Sequence, residues 1–227
     1  VDLGTVGMFT VFAGTSITIA NVVPLVGSIG LNLPSAAITG FAPLAISADG
    51  QYRTSPWLSG KVYQLGLASP TPTLVTTAMA DLVTAIETTK LRGADSSDVG
   101  GVAIGGKAFF AGVHKWGTAV TVATPIALIG SDTDVLIFTV NGAMTVEAAA
   151  NVELVPMNGE GTPGPKPGNI FWQVTGAFIV GAGTTFVGTV MGSAAVNTGA
   201  ACITMGRLLS IAAVTTGAAN TVIGVVP

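Results

Sequence analysis

Glycine returns every eighteen residues along much of the chain: Gly112 and Gly130, then Gly188, Gly206 and Gly224, with Gly27 closing an earlier block of the same pattern. Cut after these glycines, the blocks align without gaps. Residues 171–188 read FWQVTGAFIVGAGTTFVG, residues 189–206 TVMGSAAVNTGAACITMG, and residues 207–224 RLLSIAAVTTGAANTVIG. A fixed short period means equivalent units, and a unit this small cannot bury its apolar side chains alone. Stacked, such units share one continuous interior, so a solenoid is expected.

Residues 113–130 and 137–154 fit the same frame, with Leu154 in the glycine place, and 95–112 and 10–27 fit it more loosely. The residues left over are 131–136 and 155–170. Both insertions fall between the last position of one block and the first of the next, a corner where a coil tolerates added loop. The second holds GEGTPGPKPG, a Gly/Pro linker by composition.

Abundant small and β-branched residues, frequent glycine and few helix formers make each block three short strands joined by tight corners. The eighth column (Val120, Met144, Phe178, Val196, Val214), the tenth (Val122, Val146, Val180, Thr198, Thr216) and the sixteenth (Leu128, Val152, Phe186, Thr204, Val222) are mostly large and apolar, and point inward. The opening strand of each block differs. Ile137-Phe138, Phe171-Trp172, Val190-Met191 and Leu208-Leu209 are apolar at consecutive positions, which means burial on both sides.

One segment has a helical pattern and can supply that outer cover. Leu74, Ala78, Leu82 and Ile86 recur at i+4, Thr71 is placed to cap, Pro72 suits the first turn, Lys90 and Arg92 favour the C-terminal end, and Gly93 stops it. Its length of about 31 Å matches a stack of roughly seven strands. A single domain over residues 1–227 is expected. It comprises a first coil at 10–27, a Pro/Ser/Gly-rich cap at 31–71, the helix at 72–92 and the remaining coils at 95–224.

The seventh and ninth positions flank an inward residue, so both point outward on one strand. The seventh column is Ala119, Ala143, Ala177, Ala195 and Ala213, and the ninth is Thr121, Thr145, Ile179, Asn197 and Thr215. The first coil supplies Ser16 and Thr18, and the coil after the helix Gly101 and Ala103. Exposed strands normally carry Lys, Glu or Arg. This line has no charge and no ring, only methyls beside hydroxyls on a grid of about 4.8 Å by 6.7 Å. A regular grid suits a regular partner, and crystalline water is the obvious one. A tight corner accounts for an alanine column equally well, and β-propensity for a threonine column.

Composition narrows the alternatives. Only 8% of residues are charged, against about 25% in an average chain. The net charge of −3 argues against nucleic acid and anionic membranes. No apolar run is long enough to span a bilayer. Cys202 is the single cysteine, so no disulfide forms within the chain, and it reads as a buried filler. With His114 the only histidine, a catalytic triad or multi-histidine metal site is excluded within one chain. The eleven carboxylates are scattered, and the pairs Asp132/Asp134 and Asp95/Asp98 read as solvated surface rather than calcium ligands. No cofactor or metal is called for. The rival reading is a secreted adhesion or carbohydrate-binding module, for which Trp57 is the tryptophan to watch; Trp116 and Trp172, like His114, lie on the helix-covered strand.

In order along the chain, VDLGTVGMFTVFAGTSIT, GKVY, ADL, VGGVAIGG, HKWGTAVTV, DVLIFTV, NIFWQVTG, GTTFVG and GRLL make the chain resemble the ice-binding (antifreeze) protein family with the discontinuous β-solenoid fold, the DUF3494 type. The resemblance implies a right-handed, three-faced β-solenoid with a long helix alongside and a capping segment. It also implies that the N-terminal coil stacks beside the C-terminal coils. It further implies ice binding, inhibition of recrystallisation and freezing-point depression (thermal hysteresis) by a secreted protein of a cold-living microbe, without catalysis. A monomer with ice as its partner is expected, its leader removed ahead of Val1. Similar members carry Ser/Ala-x-Thr pairs on the ice face, here Ser16 with Thr18, Ala119 with Thr121, Ala143 with Thr145 and Ala213 with Thr215; Ile179 and Asn197 depart from that pattern. A second family pattern, Thr-Ala/Gly-x-Thr/Asn, is met partly at Thr198–Ala201 and Thr216–Ala219 by residue number, each ending in alanine.

Overall fold

The structure, a computed structural model, describes residues 1–20, 25–34, 37–40, 43–159 and 161–225. Residues 21–24 of the expected first coil, 35–36 and 41–42 of the expected cap, Glu160 of the linker, and 226–227 lie outside the described residues. Among the described residues the chain is mainly β, with one α-helix at Thr71–Leu91 and two short 3-10 turns.

Parallel pairing follows the block frame. Thr189 pairs with Arg207 and Val190 with Leu208, Phe171 pairs with Thr189, and across the insertions Ile137 pairs with Phe171 and Val113 with Ile137. Among the described residues, sheets of twelve, seven and three strands result. The strand order is not the chain order. Phe9–Ala13 lies between Ile203–Ser210 and Ser28–Pro34, so the N-terminal coil stacks on the last coil. From there the stack runs through Val62–Leu65 to a short antiparallel pair, Ala45–Ile46 with Arg53–Thr54.

Two departures from the eighteen-residue frame have local causes. Ser28–Pro34 and Ile38–Thr39, which composition places partly in the cap, run in the stack, the first pairing beside Phe9–Ala13 and the second beside Ile17–Thr18. In the 113–130 coil the chain takes a corner two residues shorter. Ile126 therefore pairs with Val152 and Leu128 with Leu154, so Leu128 sits two places away from the sixteenth column although it is still fully buried.

The inward columns form one interior. Val120, Met144, Phe178, Val196 and Val214 lie in it with Val122, Val146, Val180, Val152, Phe186 and Val222. His114 and Trp116 sit on strand Gly112–Trp116 of the helix-covered sheet, but their rings point into this interior and not toward the helix. The His114 ring stacks on Phe138 at 5.2 Å, and Phe138 stacks on Trp172 with centroids 3.9 Å apart. Each fully buried aromatic or aliphatic side chain contributes about 1.5–3 kcal/mol.

The helix covers the outer side of the twelve-stranded sheet. Val75, Ala78, Leu82, Ala85 and Ile86 pack with Phe9, Phe12, Ile137, Phe171, Met191 and Leu209. Its start differs from the expected cap. Pro70 occupies the N-cap position without a side-chain bond, and buried Thr71, already helical, donates its hydroxyl to the Gln51 carbonyl. Gly93 does not form the stop: Arg92 turns extended, with φ −60° and ψ 142°. The Lys115 ammonium, reaching from the sheet, donates to the Lys90 carbonyl at 2.6 Å.

Where chain start and last coil meet, Arg207 is buried without a carboxylate partner among the described residues. Its guanidinium donates from Nε to the Gly7 carbonyl at 3.0 Å and from Nη2 to the Val225 carbonyl at 2.7 Å. The periodic glycines solve a packing problem at the adjoining corner. Gly206 has φ +155°, and a Cβ there would lie 1.9 Å from the Gly188 carbonyl oxygen of the neighbouring coil. Gly206→Ala should therefore destabilise by about 3 kcal/mol or more, lowering Tm by roughly 6 °C or more. Gly93→Ala, with nothing within 4 Å of its Cβ, should stay within about 0.5 kcal/mol. Thermal unfolding followed by circular dichroism compares the two.

Candidate functional site

The seven-stranded sheet carries the candidate residues. Its order is Val120–Val122, Met144–Val146, Phe178–Val180, Val196–Thr198, Ala213–Thr216, Ser16–Ile19 and Ile38–Thr39. Thr121, Thr145, Ile179, Asn197, Thr215 and Thr18 are successive partners in one row. Ser16 pairs with Ala213, while Ala119, Ala143, Ala177 and Ala195 stand immediately before the first residue of their strands. Eight of the twelve therefore lie within the sheet and four at its edge, delivered from segments far apart in the chain.

The row is longer than the sequence frame indicates. Thr39, exposed, pairs with Thr18 and adds a seventh strand. The signal available for it was the repeated Ile-Thr of Ile17-Thr18 and Ile38-Thr39, but that interval is twenty-one residues, outside the eighteen-residue frame. At the other end Ala103 bridges to Thr121.

The residues between these outward positions make a firm base. Ile17, Val120, Val122, Met144, Val146, Phe178, Val180, Val196 and Val214 are no more than 2% exposed. Strand spacing of about 4.8 Å puts the row from Thr121 to Thr39 at roughly 29 Å. None of the outward residues is charged, and Ile179, 41% exposed, is the bulkiest. The three-stranded sheet contrasts: it exposes Glu153 on Val152–Pro156. The second family pattern does not form an outward strand, because Thr198 and Thr216 are buried at 6% and 1%.

The polar residues that chemistry would need are occupied by the fold. Asp95 accepts the Val113 N–H at 2.8 Å and Asp98 the Gly117 N–H at 3.1 Å. Asp132 pairs with Lys166 at 3.2 Å, tying the two insertion loops together. Asp134 accepts the Ser131 N–H at 2.7 Å, a bond that holds its carboxyl below the usual range. His114 Nδ1 lies 2.7 Å from Ser96 Oγ and Nε2 2.8 Å from the Phe110 carbonyl. Cys202 is buried and donates to the Gly181 carbonyl at 3.0 Å; burial pushes its thiol pKa up. Among the described residues no three His, Cys, Asp or Glu side chains gather as a metal site. Trp57 is 39% exposed, and it stands in the cap region rather than on the seven-stranded sheet.

In sequence and fold the chain is similar to known proteins. The family model described as ice-binding-like matches residues 11–222. Ice-binding protein K3-B1 of Typhula ishikariensis is 31% identical over 198 residues, covering 86% of this chain and 78% of that protein. An ice-binding protein of a Colwellia species is 30% identical over 208 residues, covering 88% and 75%. A glycosylated ice-binding protein from an Arctic yeast superposes with a TM-score of 0.91 at 25% identity, covering all of this chain and 95% of that one.

The corner that follows the seven-stranded sheet is strained in a repeated way. Ala149, Ala201 and Ala219 adopt φ of 58°, 56° and 57°, and Gly183 at the equivalent place 69°. A Cβ in this left-handed region is unfavourable by roughly 1–2 kcal/mol, while glycine loses about 0.5–1 kcal/mol more chain entropy on folding. Ala201→Gly and Ala219→Gly should each stabilise by about 0.5 kcal/mol, visible as a small rise in Tm.

Proposed function

The chain belongs to the ice-binding-like family, and on that footing we propose that it binds ice through the seven-stranded Ala/Thr sheet. The observation that carries this reading is the row Thr121, Thr145, Ile179, Asn197, Thr215, Thr18, Thr39 on consecutive parallel strands, with the small residues Ala119, Ala143, Ala177, Ala195, Ala213 and Ser16 beside it. Repetition at strand spacing lets ordered water occupy equivalent positions along the sheet. Methyl groups confine that water and hydroxyls anchor it. Each contact is weak, but a rigid array engages many at once, so adsorption is cumulative. Ice growing between adsorbed molecules curves, and a curved front melts at a lower temperature.

In this reading the coils wind right-handed around three faces: one under the helix, one carrying the ice-binding array, and one bearing Glu153. No reaction step or cofactor is needed, and one copy presents a complete array, so a monomer suffices. Ice forms outside the cell, so secretion puts the surface where it acts. The absence of charge on the array leaves nothing for nucleic acid to hold. The only histidine, His114, is buried with both ring nitrogens engaged.

The test is nanolitre osmometry with observation of crystal shape. The native protein should facet ice crystals and depress freezing below melting. Thr215→Tyr or Ala195→Tyr should remove most of that depression, while stability stays within about 0.5 kcal/mol. Ala127→Tyr, on the three-stranded sheet, should keep it. Full activity in both array variants would falsify the assignment of this sheet. A native protein that leaves crystals round at high concentration would overturn ice binding itself.

A further inference from the structure

Beneath the C-terminal half of the helix the joint with the sheet changes character. Phe9, Phe12, Ile137, Phe171, Met191 and Leu209 pack against the helix in one apolar cluster. Toward the end of the helix, the same sheet presents Lys115, Thr139 and Gln173, which are partners on three adjacent strands. These three line a cavity of about 320 Å³ together with Lys90, Asn141, Thr175, Trp116 and Gly117.

Gln173 is 0% exposed, yet neither its Oε1 nor its Nε2 has a hydrogen-bond partner among the described residues. Thr139, 7% exposed, is in the same position through Oγ1. Buried amides and hydroxyls are nearly always paired, because an unpaired one costs about 1–3 kcal/mol. Something in the cavity must therefore both donate and accept. An anion fits poorly. The Lys115 ammonium is turned to the Lys90 carbonyl at the negative end of the helix, and Lys90 is paired with Glu87 at 2.8 Å. The local charge is thus largely balanced. The demand is for a small neutral molecule able to reach an amide oxygen, an amide nitrogen, a hydroxyl and an ammonium.

We propose that this cavity is a bound-water site, in which a cluster of water molecules held by Gln173, Thr139 and Lys115 joins the helix end to the sheet. The volume is sufficient: liquid water takes about 30 Å³ per molecule, and a buried water needs two to four polar partners. The waters exchange with solvent at the corner formed by Gly117, Asn141 and Thr175. This role is independent of the ice-binding array.

Two measurements test it. In the native protein labelled with nitrogen-15, the Gln173 side-chain amide should show cross-relaxation to water, and a high-resolution crystal structure should place ordered solvent about 2.7–3.2 Å from its polar atoms. Thermal unfolding supplies an opposite-sign check. If water serves these groups, Gln173→Met strips partners from the cluster and lowers Tm by roughly 2–4 °C, and Thr139→Val lowers it in the same direction. If the cavity is dry, each substitution deletes an unsatisfied polar group and raises Tm. A rise in Tm in both variants, or a native Tm that climbs saturably with added sulfate, overturns the proposal, the second by showing an anion to be the occupant.

Discussion

Everything in this molecule depends on the parallel backbone ladder that joins one coil to the next. A single block has too few residues to enclose a core, so Phe178 or Val196 is buried only because the coils on either side supply walls. The ladder also fixes phase. A strand shifted by one residue would exchange its inward and outward sets, exposing Val196 and burying Asn197. The glycines at 188 and 206 guard that phase at the corner: a Cβ at 206 would strike the Gly188 backbone, and one at 188 the Ile170 and Trp172 side chains.

The eighteen-residue frame made most of the β-structure legible. It marks which positions face inward, where the two insertions sit, and which strand needs an outer cover. What it left obscure has specific causes. The 113–130 coil shortens a corner by two residues, a change invisible to gapless alignment because Leu128 is apolar in either register. Ser28–Pro34 and Ile38–Thr39 join the stack, the second at an interval of twenty-one from Ile17–Thr18, and so look like cap. The sequence marks Thr71 as a cap, but its hydroxyl is spent on the Gln51 carbonyl, a contact between segments twenty residues apart.

The candidate site was more legible than the fold around it. Alternation alone puts Ala119 and Thr121, or Ala213 and Thr215, on the outer side of a strand. Composition then sets that strand apart, since other exposed lines carry a residue such as Glu153. Period cannot place Ser16 and Thr18 next to Ala213 and Thr215, because the two segments are nearly two hundred residues apart; the family resemblance carried that step. Thr39 was missed with the coil that contains it. Gln173 and Thr139 carry no signal of their own, since polar residues on a doubly covered strand look like mere interruptions of an apolar pattern.

The helix does more than cover one sheet. It carries the chain from the cap end of the stack to the opposite end, where Lys115 receives its last turn. Each further coil would lengthen the stack by about 4.8 Å, while each helical residue advances about 1.5 Å. A coil could not be added without roughly three more residues of helix. The helix is therefore a gauge block for the whole assembly, and the size of the flat outer array is set by a segment that never touches it.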